Sequence, residues 1–169
     1  MADDQPYSWT GRFIDLGPED QRAVATLVKE GGAIPDSIEQ ILPRLGRSHR
    51  VELLREAGTN RIVGVGVLKA PSANYRSNKF AEAGVDIDGY EDAPELGYVA
   101  VANDMEGQGL AERLVRAVVD PLTEGCFATT DNPRMHGKLS RAGFLRQGQH
   151  WQGARGKLSL WTRPPPTNR

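Results

Sequence analysis

A glycine pair with an apolar run behind it is the clearest chemical signal in this chain. Gly107-Gln108-Gly109 is followed by Leu110-Ala111, then by Leu114, Ala117 and Val118 at helical spacing. A small-residue turn that opens a helix suits a phosphate, because backbone N–H groups and the positive end of the helix dipole point at it. The same turn carries three acids, Asp104, Glu106 and Glu112, which a phosphate would repel. Three more residues are of types that can do chemistry. Glu95 opens the apolar stretch Glu95–Ala102 and, taken alone, reads as a solvated carboxylate at a strand end. Asn132, just before Pro133, reads as a helix N-cap. His136, one helical turn before Ser140, reads as a surface histidine. The lone cysteine, Cys126, lies in the apolar run Cys126-Phe127-Ala128 and reads as a buried structural thiol. It supports neither an internal disulfide nor a cysteine-rich zinc site, and no metal is expected.

Bulk properties narrow the class. The chain has 169 residues, which suits one domain with a sizeable core. Lys+Arg is 21 and Asp+Glu is 22, a net charge of −1, which argues against a binder of nucleic-acid backbone. No apolar stretch reaches the roughly 18 residues of a membrane span, and MADDQPYS lacks a basic-then-apolar signal pattern. The expectation is a soluble, cytoplasmic protein with a single domain over 9–163 and flexible termini at 1–8 and 164–169.

Several elements must position those residues. Arg12–Leu16 reads as a short strand. Pro18-Glu19-Asp20 starts a helix that Gly31-Gly32 ends, with Val24, Leu27 and Val28 on one face. Ser37–Leu45 is a second helix capped by Asp36 or Ser37. His49–Glu56 and Arg61–Leu68 form a hairpin around Ala57-Gly58-Thr59-Asn60. The second of these strands is apolar on both faces, as a central strand is. Residues 69–94 read as a long surface loop with a short helix near Lys79–Ala83. Then come the strand Glu95–Ala102, the helix Leu110–Val119, the strand Cys126–Thr130 and the helix Pro133–Ala142. Strands Phe144–Gly148 and Lys157–Thr162 close the chain around a loop at 149–156. The connection from 95–102 to 126–130 should be a parallel crossover.

The glycine turn alone is open to three readings. A dinucleotide fold would place its third glycine at Glu112 and leave too few βα units after it, and no Gly-Lys-Ser/Thr completes a nucleotide P-loop. The turn can also be a chain reversal with no ligand. The third reading uses the whole C-terminal half. Glu95-Leu-Gly-Tyr-Val-Ala-Val101, then Gly107-Gln108-Gly109-Leu110-Ala111, then Asn132-Pro133 and Ala142-Gly143-Phe144 together resemble the GNAT superfamily of N-acetyltransferases. That family's turn is Arg/Gln-x-x-Gly-x-Gly/Ala. Its two small positions are Gly109 and Ala111 here, and its first position is Glu106. Asn132 and Phe144 keep the family's spacing, and the preceding helix–helix–hairpin order agrees with its N-terminal half.

The resemblance implies an α/β (α+β) fold, with a mixed central sheet of about six to seven strands, about four helices and splayed parallel central strands. It implies acetyl-CoA as co-substrate and acetyl transfer to a primary amine by direct attack on the thioester. The pantetheine arm would lie along 95–102, near Val99 and Val101. The diphosphate would take backbone groups of Glu106, Gly107, Gln108, Gly109, Leu110 and Ala111, and Asn132 would hold the far side of the arm. Glu95 matches the position of the family's base, and His136 is a substitute for the leaving-group acid. The tyrosine often found five residues before the Gly-Phe phenylalanine is Leu139 here. Together, Glu106 and Leu139 keep open a degenerate module that binds a CoA ester without catalysis.

The acceptor would sit among residues 30–48, 69–94 and 149–157. Tyr75, Tyr90 and Trp151 either wall its pocket or anchor loops. The acidic run Asp86, Asp88, Glu91, Asp92 either draws a cationic amine or is simply solvated. His150, Arg155 and Lys157 would instead meet an anion, including an adenosine 3′-phosphate. A small-molecule amine is favoured over a peptide, and a homodimer is allowed by the resemblance.

Overall fold

The computed structural model describes residues 4–32 and 35–167; the remaining positions of the predicted termini and of the 30–48 acceptor region lie outside the described residues. A seven-stranded mixed sheet runs in the order β1-β2-β3-β4-β5-β7-β6. Its strands are β1 (Tyr7–Gly11), β2 (Arg50–Arg55), β3 (Ile62–Lys69), β4 (Glu95–Val101), β5 (Cys126–Thr130), β6 (Leu145–Gln152) and β7 (Lys157–Arg163). Five α-helices accompany it among the described residues: α1 (Pro18–Glu30), α2 (Ile38–Gly46), α3 (Ala73–Ala83), α4 (Leu110–Val119) and α5 (Arg134–Arg141). None of them is long and apolar enough to cross a membrane.

The element order matches the expectation closely, and α4 and β5 have the predicted bounds. Ser37 caps α2 through a reciprocal capping box with Gln40, which satisfies two backbone N–H groups. Strand β3 is buried along nearly all its length because β2 and β4 flank it and helices cover it.

Five features differ. The first strand is Tyr7–Gly11, held by its ladder to β2, and it begins inside the segment expected to be a loose terminus. The predicted strand at 12–16 is instead a 3₁₀ turn, Phe13–Asp15. Phe13 and Leu16 are buried while Ile14 is 52% exposed, a spacing of three that suits three residues per turn. The expected loop 69–94 contains an eleven-residue helix, α3, capped by Ser72 and ended by Gly84 in the left-handed region. The rest of that segment is tied down by the buried Arg76, whose guanidinium donates to the carbonyls of Ala93 (2.9 Å), Glu91 (2.6 Å) and Pro71 (3.2 Å). Strand β6 continues through His150 and Trp151, because a bulge between Gln147 and Trp151 absorbs the break in periodicity. Gly148 makes that bulge possible: a Cβ there would stand 2.1 Å from the Ala83 carbonyl oxygen. Finally, Pro133 rather than Asn132 is the N-cap of α5, although Asn132 Oδ1 still accepts the Arg134 N–H at 3.0 Å.

Candidate active site

The site begins where two parallel strands part. Strands β4 and β5 share one register pair, Glu95↔Phe127, with the Phe127 N–H donating to the Pro94 carbonyl at 3.1 Å. Past that point they no longer pair. On its other edge β4 is bulged: Val65 faces Ala100 and Val67 faces Gly97, so Tyr98 and Val99 together oppose Gly66. Tyr98 takes φ +51°, a conformation that costs a bulky residue about 1–3 kcal/mol and that the surrounding ladder must enforce. A bulge bends and twists its strand, and this one lies just beyond the last β4–β5 pair at Glu95.

A cleft of about 670 Å³ opens in the gap. Glu95, 2% exposed, lies on its wall. Its Oε1 pairs with Lys69 Nζ at 2.7 Å and accepts the Tyr75 hydroxyl at 3.4 Å. Among the described residues, its Oε2 is buried with no hydrogen-bond partner. An unpartnered buried carboxylate oxygen costs several times what a made hydrogen bond returns, so this atom is a place for an incoming donor. Lys69 Nζ also lies 4.6 Å from the Tyr98 ring centre and 5.3 Å from that of Tyr75. Burial works against the Lys69 charge, but Glu95, Tyr75 and Tyr98 together outweigh it and hold the ammonium above the usual lysine pKa. Burial, and then the Glu95 charge, push the Tyr75 phenol up to about 12. Both groups therefore keep their protons at neutral pH.

The glycine turn stands at the start of α4. Gly107 has φ +80° and Gly109 has φ +75°, so both positions need glycine for the backbone itself. Among the described residues, the N–H groups of Gly107 through Glu112 donate to no protein group. Two of the three acids are turned to other work. Asp104 pairs with Arg61 at 2.7 Å, and Glu112 accepts Arg141 Nε at 2.8 Å, with Arg116 at 3.8 Å. The hydrogen bonds from Arg61 and Arg141 lower the pKa of these two carboxyls. Glu106 is exposed and has no ion pair among the described residues.

The predicted site residues divide. Glu95, Val99, Asn132 and Tyr75 line the cleft, as does Leu139. Val101 is half-buried on β4 beyond the lining, and residues 106–111 form the separate turn just described. The structure does not bring the other three to the cleft. Tyr90 packs on Phe80, ring centres 5.8 Å apart, and crowds Gly125, so it anchors its loop. Trp151 sits opposite Leu158 in the β6–β7 ladder and packs with Phe127 and Leu160. His136 lies 5.2 Å from the Trp161 ring and lines an adjoining depression with Arg146, His150 and Lys157, which meets the cleft at Asp131 and Pro133. The acidic run 86–92 is also absent from the lining.

Sequence reasoning missed Lys69, Arg44 and Lys79, which line the cleft, whereas Arg155, expected to meet an anion, lines it as well. Lys69 was findable, because it directly faces Glu95 in the β3–β4 register. Tyr98, three residues after Glu95 and therefore on the opposite face of a regular strand, meets the same Lys69 because the bulge breaks the two-residue alternation.

Comparison with known proteins agrees with this geometry. No family model matches the chain, and no curated protein matches it. Solved structures do. An acetyltransferase of the GNAT family from Streptococcus agalactiae superposes with TM-score 0.70 at 12% identity, covering 95% of this chain and 96% of that one. The histone acetyltransferase HPA2 and related acetyltransferase from Corynebacterium glutamicum gives 0.69 at 16%, covering 97% and 98%. An acyl-CoA N-acyltransferase from Pseudomonas aeruginosa gives 0.67 at 12%, covering 94% and 99%. With at least 94% of each partner covered, these likenesses establish the architecture, and the chain has the fold of the GNAT superfamily of N-acetyltransferases.

Proposed function

We propose that this chain is an N-acetyltransferase that moves an acetyl group from acetyl-CoA to a primary amine of a small molecule or peptide. The observation that carries the reading is the parting of β4 and β5 immediately after Glu95. It leaves an open strand edge beside a buried carboxylate with one oxygen unpartnered. The residues fit the co-substrate: an extended arm suits an unpaired strand edge near Val99 and Val101, and a diphosphate suits the free N–H groups of Gly107 through Ala111. Asn132, exposed at the start of α5, would face the arm from the β5 side.

Acetyl-CoA supplies an activated thioester. The chain's part is proton transfer and charge placement. A protonated amine cannot attack, so Glu95 takes its proton at Oε2 while Lys69 holds Oε1. A backbone N–H at the Tyr98–Val99 bulge donates to the carbonyl oxygen as negative charge grows on it. Leu139, 1% exposed on the cleft wall, offers no proton to the departing sulfur. A thiol with a pKa of about 8.5 leaves tolerably without one.

Leu139 also supports a second reading, a module that binds a CoA ester without transferring it. Calorimetry with acetyl-CoA, CoA and NAD, followed by free-thiol release with a panel of amines, separates the two. Binding of acetyl-CoA but not NAD, with amine-dependent thiol release, is the expected result. Binding without release favours the module, and no binding of any CoA ester overturns both.

A further inference from the structure

The acceptor half of the cleft has a charge pattern opposite to the one the acidic run 86–92 would have given it. Four cations line the cleft: Arg44 from α2, Lys69 at the end of β3, Lys79 from α3 and Arg155 from the β6–β7 turn. Two acids line it, Glu95 and Asp131. Each acid already holds a cation, Glu95 with Lys69 at 2.7 Å and Asp131 with Arg155 at 3.0 Å. Arg44 and Lys79 remain. Arg44 approaches Tyr98, and its ion-pair partner, Asp36, lies outside the lining. Lys79 is half-buried, has no ion pair among the described residues and lies 5.1 Å from the centre of the Tyr75 ring.

Resting on the acetyltransferase reading, we infer that the acceptor is a small amine that also carries an anionic group, a carboxylate or a phosphate, within a few bonds of the nitrogen. Tyr75 sets the spacing. Its hydroxyl touches Glu95 and its ring face lies 5.1 Å from Lys79 Nζ, so the base and the free cation border the same side chain. A small molecule spans that gap with its amine at Glu95 Oε2 and its anion at Lys79, with Arg44 as a second cation on the wall. A polycation finds no free carboxylate here beyond that one oxygen. The surplus positive charge also favours the neutral form of the acceptor amine, which is the form that attacks.

The test uses matched pairs on the intact protein: an amino acid against its amide, phosphoethanolamine against ethanolamine, with spermidine and a short peptide amide as further probes. The anionic member of at least one pair should have kcat/KM about 10- to 100-fold higher, the range a hydrogen bond to a charged group supports. The two kinds of pair distinguish carboxylate from phosphate. Lys79→Met should erase most of the preference by raising KM, with kcat nearly kept. Calorimetry on the CoA-loaded protein gives the same comparison without turnover, since an N-acetyl amino acid should bind more tightly than its amide. No difference within any pair by either method, or a preference for spermidine or the peptide amide, overturns this inference alone. Failure of acetyl-CoA to bind overturns the acetyltransferase reading and takes this inference with it.

Discussion

Strand β5 treats its two neighbours unequally. Toward β7 it pairs along all its residues, from Cys126↔Arg163 to Thr130↔Ser159. Toward β4 it pairs once, at Glu95↔Phe127, and then opens. The closed edge is structural and its side chains are ordinary core: Phe127, Leu160 and Trp161 are all buried. The open edge collects the unusual features, namely a tyrosine at positive φ, a buried ion pair and an orphaned carboxylate oxygen. One strand thus carries fold on one side and the candidate site on the other. The unmade ladder is tolerated because its backbone groups face a cleft rather than dry core.

The strongest way to break this contrast is at Glu95. Glu95→Gln keeps the shape and removes the base, and kcat/KM should fall about 10²- to 10⁴-fold, the span of general-base contributions. Steady-state thiol release measures it, with circular dichroism confirming the fold. Unchanged turnover would remove Glu95 from the mechanism and leave the open edge as a binding feature only.

Next in size is Lys69→Met. The Glu95 side chain is 3% exposed and that of Lys69 is 24% exposed, so the variant strands a buried carboxylate. Breaking one partner of such a pair costs about 3–5 kcal/mol, and the partial exposure of Lys69 places this case near the lower end. Urea denaturation should show it at pH 8. The sign with pH follows from the raised Lys69 pKa. The pair's contribution is fully present below the unfolded lysine value of about 10.4 and is lost as pH climbs toward the higher folded value. Wild type and variant should therefore converge in stability above about pH 10.4. A constant gap would mean that Lys69 acts by packing rather than charge.

The same contrast explains what the sequence made legible. Backbone chemistry leaves local marks: Gly107 and Gly109 advertise a turn with positive φ, and the apolar spacing of 110–119 fixes the helix behind it. Element order, the parallel crossover and the position of Glu95 follow from similar local patterns. Side-chain chemistry leaves no local mark when its members come from distant elements. Lys69, Tyr75 and Glu95 meet through strand register and the placement of α3, and that helix was read as mostly loop. The three predicted residues that fell away, His136, Tyr90 and Trp151, were chosen by residue type near the right segment, and packing turned each toward its own neighbour.

The glycine turn sharpens the comparison with two smaller effects. Gly109→Val meets no neighbouring atom but forces a β-branched residue to φ +75°, so it should cost about 1–3 kcal/mol and weaken acetyl-CoA without changing kcat at saturation. Glu106→Arg should do least. Asp104 and Glu112 are already neutralised by Arg61 and Arg141, which leaves Glu106 as the turn's unpaired acid. Reversing an exposed charge there should tighten acetyl-CoA about two- to threefold at low ionic strength, and the gain should vanish near 0.5 M salt, where the screening length falls to about 4 Å. Calorimetric titrations at both salt concentrations read it directly. A gain that survives high salt would mean the arginine contacts the ligand. No gain at either salt would place Glu106 beyond the diphosphate's field and leave the N–H groups of 107–111 to hold the ligand alone.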